Sequence, residues 1–145
     1  MNWWVHDLYA SGRIVELVSW IFWVLLSITL HELGHGWMAI REGDRTPIEL
    51  GRMTMNPLVH MGHFSLLLFA LCGIAWGLMP VSPHRFRHGR RSELLVSAAG
   101  PMVNVLLALA ATILLVAWIR LGAGVGAKLH GNIAIFLYLG IWLNL

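Results

Sequence analysis

Residues 14–40 read IVELVSWIFWVLLSITLHELGHGWMAI. The run is apolar apart from Glu16 and a cluster of His31, Glu32 and His35 towards its C-terminal end. At about 1.5 Å per residue, a helix of this length crosses the roughly 30 Å hydrocarbon core of a bilayer. We therefore read it as a transmembrane helix. The cluster is then expensive. A carboxylate at the bilayer centre costs at least about 2.5–3.5 kcal/mol, and an intramembrane ionisable residue marks a functional site by default.

Composition puts the rest of the chain in the same class. Of its 145 residues, 58% are hydrophobic and 12% charged, against about 25% charged in an average soluble domain. Mean hydropathy is +0.71. Eight Trp suit the aromatic belts at membrane–water interfaces. The single cysteine, Cys72, excludes an internal disulfide and any Cys-x-x-Cys metal site, and is expected to be a buried small hydrophobe. The net charge is only +3, and so apolar a chain is a poor partner for nucleic acid. Residues 1–13, MNWWVHDLYASGR, carry Arg13 as their only basic residue, which does not suit the n-region of a signal peptide. The Trp3–Trp4 pair is expected at the membrane surface.

Residues 94–119, LLVSAAGPMVNVLLALAATILLVAWI, form a second predicted span. Gly100–Pro101 falls in its first turns, where proline is least disruptive or opens the helix locally. Ala99, Gly100, Ala108, Ala110 and Ala111 are small enough to let helices approach closely. Residues 131–145 begin a third apolar run, shorter than the roughly 20 residues a span needs, so the chain is expected to stop inside a helix. Residues 65–81, SLLLFALCGIAWGLMPV, are apolar but interrupted by Gly73, Gly77 and Pro80. They either span or re-enter. Seven of the ten basic residues, Arg41, Arg45, Arg52, Arg85, Arg87, Arg90 and Arg91, flank them. A re-entrant segment keeps all seven on one face, and the positive-inside rule makes that face cytoplasmic. We take that reading, with residues 41–93 on the cytoplasmic side of a multi-pass cell-membrane protein. The basic stretch PHRFRHGRR then faces anionic headgroups.

His31-Glu32-Leu33-Gly34-His35 is the pattern HExxH. Two histidines four residues apart project from one helix face and can bind a single Zn²⁺. Zinc lowers the pKa of a bound water towards about 7, and the adjacent Glu32 is placed to take its proton and pass it to a leaving amine. Three fixed positions in five arise by chance in many soluble helices. Inside a membrane helix, packing explains them poorly. Two other readings are a zinc-binding or scaffold membrane protein without proteolysis, and a transporter in which the histidines relay metal ions or protons.

With that motif in place, the chain resembles the site-2 proteases, intramembrane zinc metalloproteases, and in particular a bacterial and archaeal subgroup. HELGHGWMAIREGD is similar to their motif helix running into a polar turn. GRMTMNPLVH (51–60) resembles their Gly-Arg-x-Thr-x-Asn-Pro-Leu-x-His stretch, MPVSPHRFRHGRR (79–91) their Pro-Val-x-Pro loop ending in paired arginines, and SAAGPMVNVLLA (97–108) the Ala-Gly-Pro-x-x-Asn opening of the next core helix. The resemblance implies an all-α transmembrane core with antiparallel His31 and Asn104 helices, in one peptidase domain over residues 1–145. It also implies His31 and His35 as zinc ligands, Glu32 as general base and acid, and a membrane-protein substrate. Asn56, Pro57 and His60 would lie in a loop dipping towards the substrate, and Asn104 would shape the site. The loop 51–64 would hold an unwound substrate strand by edge pairing.

Two departures stand out. After His60 the subgroup often continues Ile-Asp-Pro, where this chain has Met61-Gly62-His63. On their own, His60 and His63 read as polar loop residues at the membrane surface. The family's third zinc ligand is an aspartate in an Asn-x-x-Pro-x-x-x-Leu-Asp-Gly motif on the third core helix, and no acidic residue follows Glu93 here. That ligand is expected beyond Leu145. Glu42, Asp44, Glu49 and Glu93 read as solvated or salt-bridged loop residues. No oligomeric state has a signature in these residues.

Overall fold

The apolar run at 14–40 folds as one helix, α2, spanning Ile14–Arg41, in a computed structural model that describes residues 3–145. A short helix α1 (Trp4–Ala10) precedes it and a single turn α3 (Thr46–Glu49) follows. Then come α4 (Pro57–Cys72), α5 (Arg90–Leu121) and α6 (Ala127–Asn144). No strand occurs among the described residues, so the fold is all-α. Helix α5 starts four residues before the expected span because Arg90–Glu93 supply a polar first turn. Helix α6 starts at Ala127 rather than 131, taking in Lys128 and His130.

Helices α2 and α5 are long and apolar enough to cross a membrane. The most apolar window of α5 is only 11% buried within the protein, and Met102, Leu106, Leu109, Ile113 and Leu114 are exposed. A core helix of a soluble protein would hide those side chains; one facing lipid would not. Both expected spans are therefore present as helices.

The chain divides into two compact units, Met1–Ser27 with Val105–Leu145, and Ile28–Asn104. In the first, α6 packs on the start of α2 through aromatic side chains. Trp23 Nε1 donates to the Phe136 carbonyl at 2.8 Å, and Phe22, Trp23 and Phe136 form a cluster with centroids 5.2–5.6 Å apart. His130 stacks on Trp118 with centroids 5.6 Å apart.

In the second unit, residues 28–41 of α2 run antiparallel to residues 90–104 of α5. Their contacts fix the direction: Gly34 lies against Ala99 and Val103, His35 reaches Val96 and Glu42 reaches Ser92. A Cβ on Gly34 would come within 2.8 Å of Val103 and 3.0 Å of the Ala99 carbonyl, so glycine permits the close approach.

The segment between these helices folds back on itself. Asn56 caps α4, its Oδ1 accepting the Leu58 N–H at 3.0 Å, and Pro57 supplies the preset φ of a first helical residue. Gly62 breaks the helix with φ 68°, and Gly73 ends it with φ 76°, both left-handed values that side chains with a Cβ disfavour. After Gly73 the chain is non-helical to Ser82 and returns beside α4. Ser65 Oγ donates to the Trp76 carbonyl at 2.8 Å and accepts the Trp76 N–H at 2.9 Å, and the Leu78 N–H donates to the His60 carbonyl at 3.0 Å. Residues 57–82 thus make a helix-out, coil-back hairpin rather than one continuous helix.

Three expectations are corrected. Cys72 is exposed, at the turn of the hairpin. Residues 51–64 are not all loop, because α4 begins at Pro57. Asp44 is wholly buried rather than solvated. Its Oδ1 accepts the Thr46 N–H at 2.9 Å and the Thr46 hydroxyl at 2.5 Å, and its Oδ2 accepts the Ser82 N–H at 2.6 Å. Burial by itself would raise the Asp44 carboxyl, but these hydrogen bonds and nearby Arg85 outweigh it and hold the group below its ordinary value. Glu42 and Glu49 do pair as expected, with His88 at 3.1 Å and Arg85 at 2.7 Å.

Candidate metal centre

The HExxH residues occupy one turn of α2 in the Ile28–Asn104 unit. With His35 four positions after His31, both rings project from the same side. Their Nε2 atoms stand 3.0 Å apart, and the rings meet edge to face with centroids 4.7 Å apart.

The environment fixes which nitrogen of His35 is free. Its Nδ1 lies 2.6 Å from the Val96 carbonyl oxygen. A carbonyl can only accept, so Nδ1 carries the proton and donates it, leaving the Nε2 lone pair towards His31. A metal-ligating histidine is usually held in this way, its second nitrogen bound to a carbonyl or carboxylate. Pro101, one turn further along α5, has no N–H to give to the Ser97 carbonyl, which loosens the α5 ladder beside this contact.

Glu32 is buried, 7% exposed. Its carboxylate interacts with the backbone amide of Met79 and lies near His35 and His60. Gly77 presses against it: a Cβ there would fall 2.5 Å from Glu32 Oε1 and 2.6 Å from its Cγ. Glu32, His35, Gly77, Met79, Val96 and Ser97 border a cavity of about 270 Å³.

Two features test whether the pair suits a metal. Gly100 leaves an open cradle against the two imidazoles, since a Cβ there would come within 2.5 Å of His31 Nε2 and collide with His35 as well. Asn104 interacts with His31, yet its Oδ1 is buried without a partner, an expense that native structures usually offset with a ligand, ion or water. A nitrogen separation of 3.0 Å is of the order expected for two ligands sharing one small cation with bonds of about 2.0–2.1 Å. The residues present fit zinc. Among the described residues no cluster of three His, Cys, Asp or Glu forms.

The predicted site residues therefore separate. His31, Glu32, His35 and Asn104 come together. His60, read from its spacing with His63 as a surface loop residue, is instead 2% exposed. Its Nε2 donates to the Thr54 carbonyl at 2.7 Å, its Nδ1 is buried without a partner, and it is close enough to Glu32 to interact electrostatically. Asn56 and Pro57 are used locally to start α4. Gly77, Met79 and the Val96 carbonyl also shape the site. Gly77 had registered only as a helix interruption, and a backbone carbonyl carries no side-chain signal at all.

Residues 19–140 match the profile of Peptidase family M50. The chain belongs to this family, the site-2 proteases. Among curated relatives of this M50 chain, the candidate zinc metalloprotease YwhC of Bacillus subtilis is 35% identical over 123 residues, covering 84% of this chain and 56% of that protein. The candidate zinc metalloprotease Rip2 of Mycobacterium tuberculosis is 35% identical over 116 residues, covering 74% of this chain and 43% of the relative. Rip2 of Mycolicibacterium smegmatis is 33% identical over 107 residues, covering 69% and 39%. This M50 chain thus spans about half the length of the curated relatives it matches. No solved structure matches it at a significant level.

Proposed function

We propose that the protein is a zinc-dependent intramembrane endopeptidase that hydrolyses a peptide bond in or near a transmembrane segment of another membrane protein. One observation carries this reading: the convergence of His31 and His35 Nε2 at 3.0 Å beside buried Glu32 on a helix long and apolar enough to cross a membrane. Membership of the M50 family supports it.

His31 and His35 would hold zinc through Nε2. When bound, the ion supplies Lewis-acid polarisation of the scissile carbonyl and acidifies a water molecule. Glu32 takes a proton from the attacking water at its carboxylate as the new carbon–oxygen bond forms. It returns that proton to the amine nitrogen as the carbon–nitrogen bond breaks. Met79 and Gly77 hold the carboxylate in place, and the bond from His35 Nδ1 to Val96 fixes the tautomer that leaves Nε2 for the metal. Asn104 and His60 bring buried, unpartnered acceptor atoms to the site, and we assign them to substrate contact. Asn56 and Pro57 act through the start of α4.

A substrate helix must unwind to be cut, because its carbonyls are otherwise hydrogen-bonded. We assign the holding of the unwound strand to residues 51–56, the non-helical stretch ahead of α4. In the membrane, we place α2 and α5 as spans and the 57–82 hairpin as the re-entrant element. The return of Trp76 and Leu78 to Ser65 and His60 supports this placement. The basic residues at 41–91 then lie together on the cytoplasmic side.

The alternative is a metal-binding relative without proteolysis, favoured by the want of a three-residue cluster among the described residues. The test is cleavage of a transmembrane substrate by the full-length protein in proteoliposomes, before and after chelation. We expect chelation to abolish cleavage and added zinc to restore it. Cleavage that survives complete zinc removal overturns the proposal, and stoichiometric zinc without cleavage supports the alternative.

A further inference from the structure

The other unit, Met1–Ser27 with Val105–Leu145, holds a cavity of about 470 Å³ that the proposed chemistry does not use. That volume lies within the range of small-ligand sites. Trp4, Trp20, Tyr138 and Trp142 line it, with Arg13 and Glu16. Trp20 and Trp142 form one wall, their rings tilted 39° with centroids 5.9 Å apart. The Trp20 Nε1 donor is buried and has no partner.

Arg13 and Glu16 form a two-point ion pair, Nε donating to Oε1 at 2.8 Å and Nη2 to Oε2. Only two of the guanidinium's five N–H donors are taken, and the carboxylate keeps acceptor sites of its own. The pair is part-exposed, 55% and 28%, so both signs are presented side by side. It lies at the start of α2, where the sequence passes from polar to apolar, the depth at which headgroups and interfacial Trp and Tyr are found.

We propose that this cavity binds a zwitterionic phospholipid headgroup of the ethanolamine class. Its phosphate takes the remaining Arg13 donors. Its ammonium sits among the indoles and the Tyr138 ring, where cation–π attraction favours it, and donates to Glu16. Charge complementarity decides the class. An anionic headgroup would leave Glu16 facing a second negative charge, whereas the zwitterion matches both members of the pair.

The test uses full-length protein reconstituted in nanodiscs of equimolar phosphatidylethanolamine and phosphatidylglycerol, then moved to mild detergent. Retained lipid is counted by native mass spectrometry. The wild type should retain phosphatidylethanolamine over phosphatidylglycerol by about tenfold, which corresponds to about 1.4 kcal/mol. Combined Arg13→Gln and Glu16→Gln should bring the ratio to about one, and Trp20→Phe should lower it while keeping the aromatic wall. Glu93→Gln, a charge outside the cavity, should leave it unchanged. Equal retention by the wild type, a preference for phosphatidylglycerol, or an unchanged ratio in the folded double variant overturns the proposal. The wild-type measurement decides even if a variant does not fold.

Discussion

The Nδ1 of His35 lies 2.6 Å from the carbonyl oxygen of Val96, so a backbone atom of α5 sets the tautomer of a ring on α2. That contact orients the ring for the ligand role we propose for it. It leaves a lone pair on His35 Nε2, 3.0 Å from His31 Nε2, with the Gly100 cradle beside both.

Gly100→Ala tests the cradle. The added methyl would fall 2.5 Å from His31 Nε2 and force the imidazoles apart. A misplaced site group can cost about 100-fold in rate, so we expect at least that loss in cleavage, with bound zinc per chain reduced in metal analysis. A normal zinc content with full activity would show that the cradle is dispensable.

Gly77→Ala probes the carboxylate instead. Its Cβ would meet Glu32 at 2.5–2.6 Å, so the carboxylate is the group displaced first. Zinc content should stay at the wild-type level while kcat falls by about 10²-fold, the lower range of general acid–base contributions. Loss of zinc together with activity would contradict the separation of roles.

Much of this was legible from residue types. Long apolar runs forecast α2 and α5, and HExxH in one of them forecast the His31–Glu32–His35 cluster, because helical spacing is local. What escaped depended on folding back. His60 and Asp44 look like surface residues in a polar, basic stretch, yet both are buried by the return of residues 74–82, a tertiary event without a short-range signal. Gly100 and Gly77 are equally silent, since the reason for glycine is the side chain opposite.

Asp44→Asn should loosen that return. Asp44 ties Thr46 to Ser82, and hydrogen bonds to a charged group contribute about 1.5–3 kcal/mol, so we expect destabilisation of about 2 kcal/mol in thermal unfolding of the purified protein. The pH dependence has a definite sign. A carboxyl held low in the folded state gives its full stabilisation above its unfolded pKa of about 3.9 and loses it as pH falls through the lower folded value. The gap in Tm between wild type and Asp44→Asn should be constant between about pH 5 and 8 and narrow below about pH 4. A gap that widens on acidification would contradict the assignment.

The most direct test of the central claim is cleavage of a reconstituted transmembrane substrate by the full-length protein and by Glu32→Gln, with zinc measured in both. Glu32 is assigned the proton transfers and His31 and His35 the metal. The variant should therefore keep zinc at the wild-type ratio while cleavage falls by about 10²–10⁴-fold. Cleavage that persists in Glu32→Gln at the wild-type rate would contradict the claim.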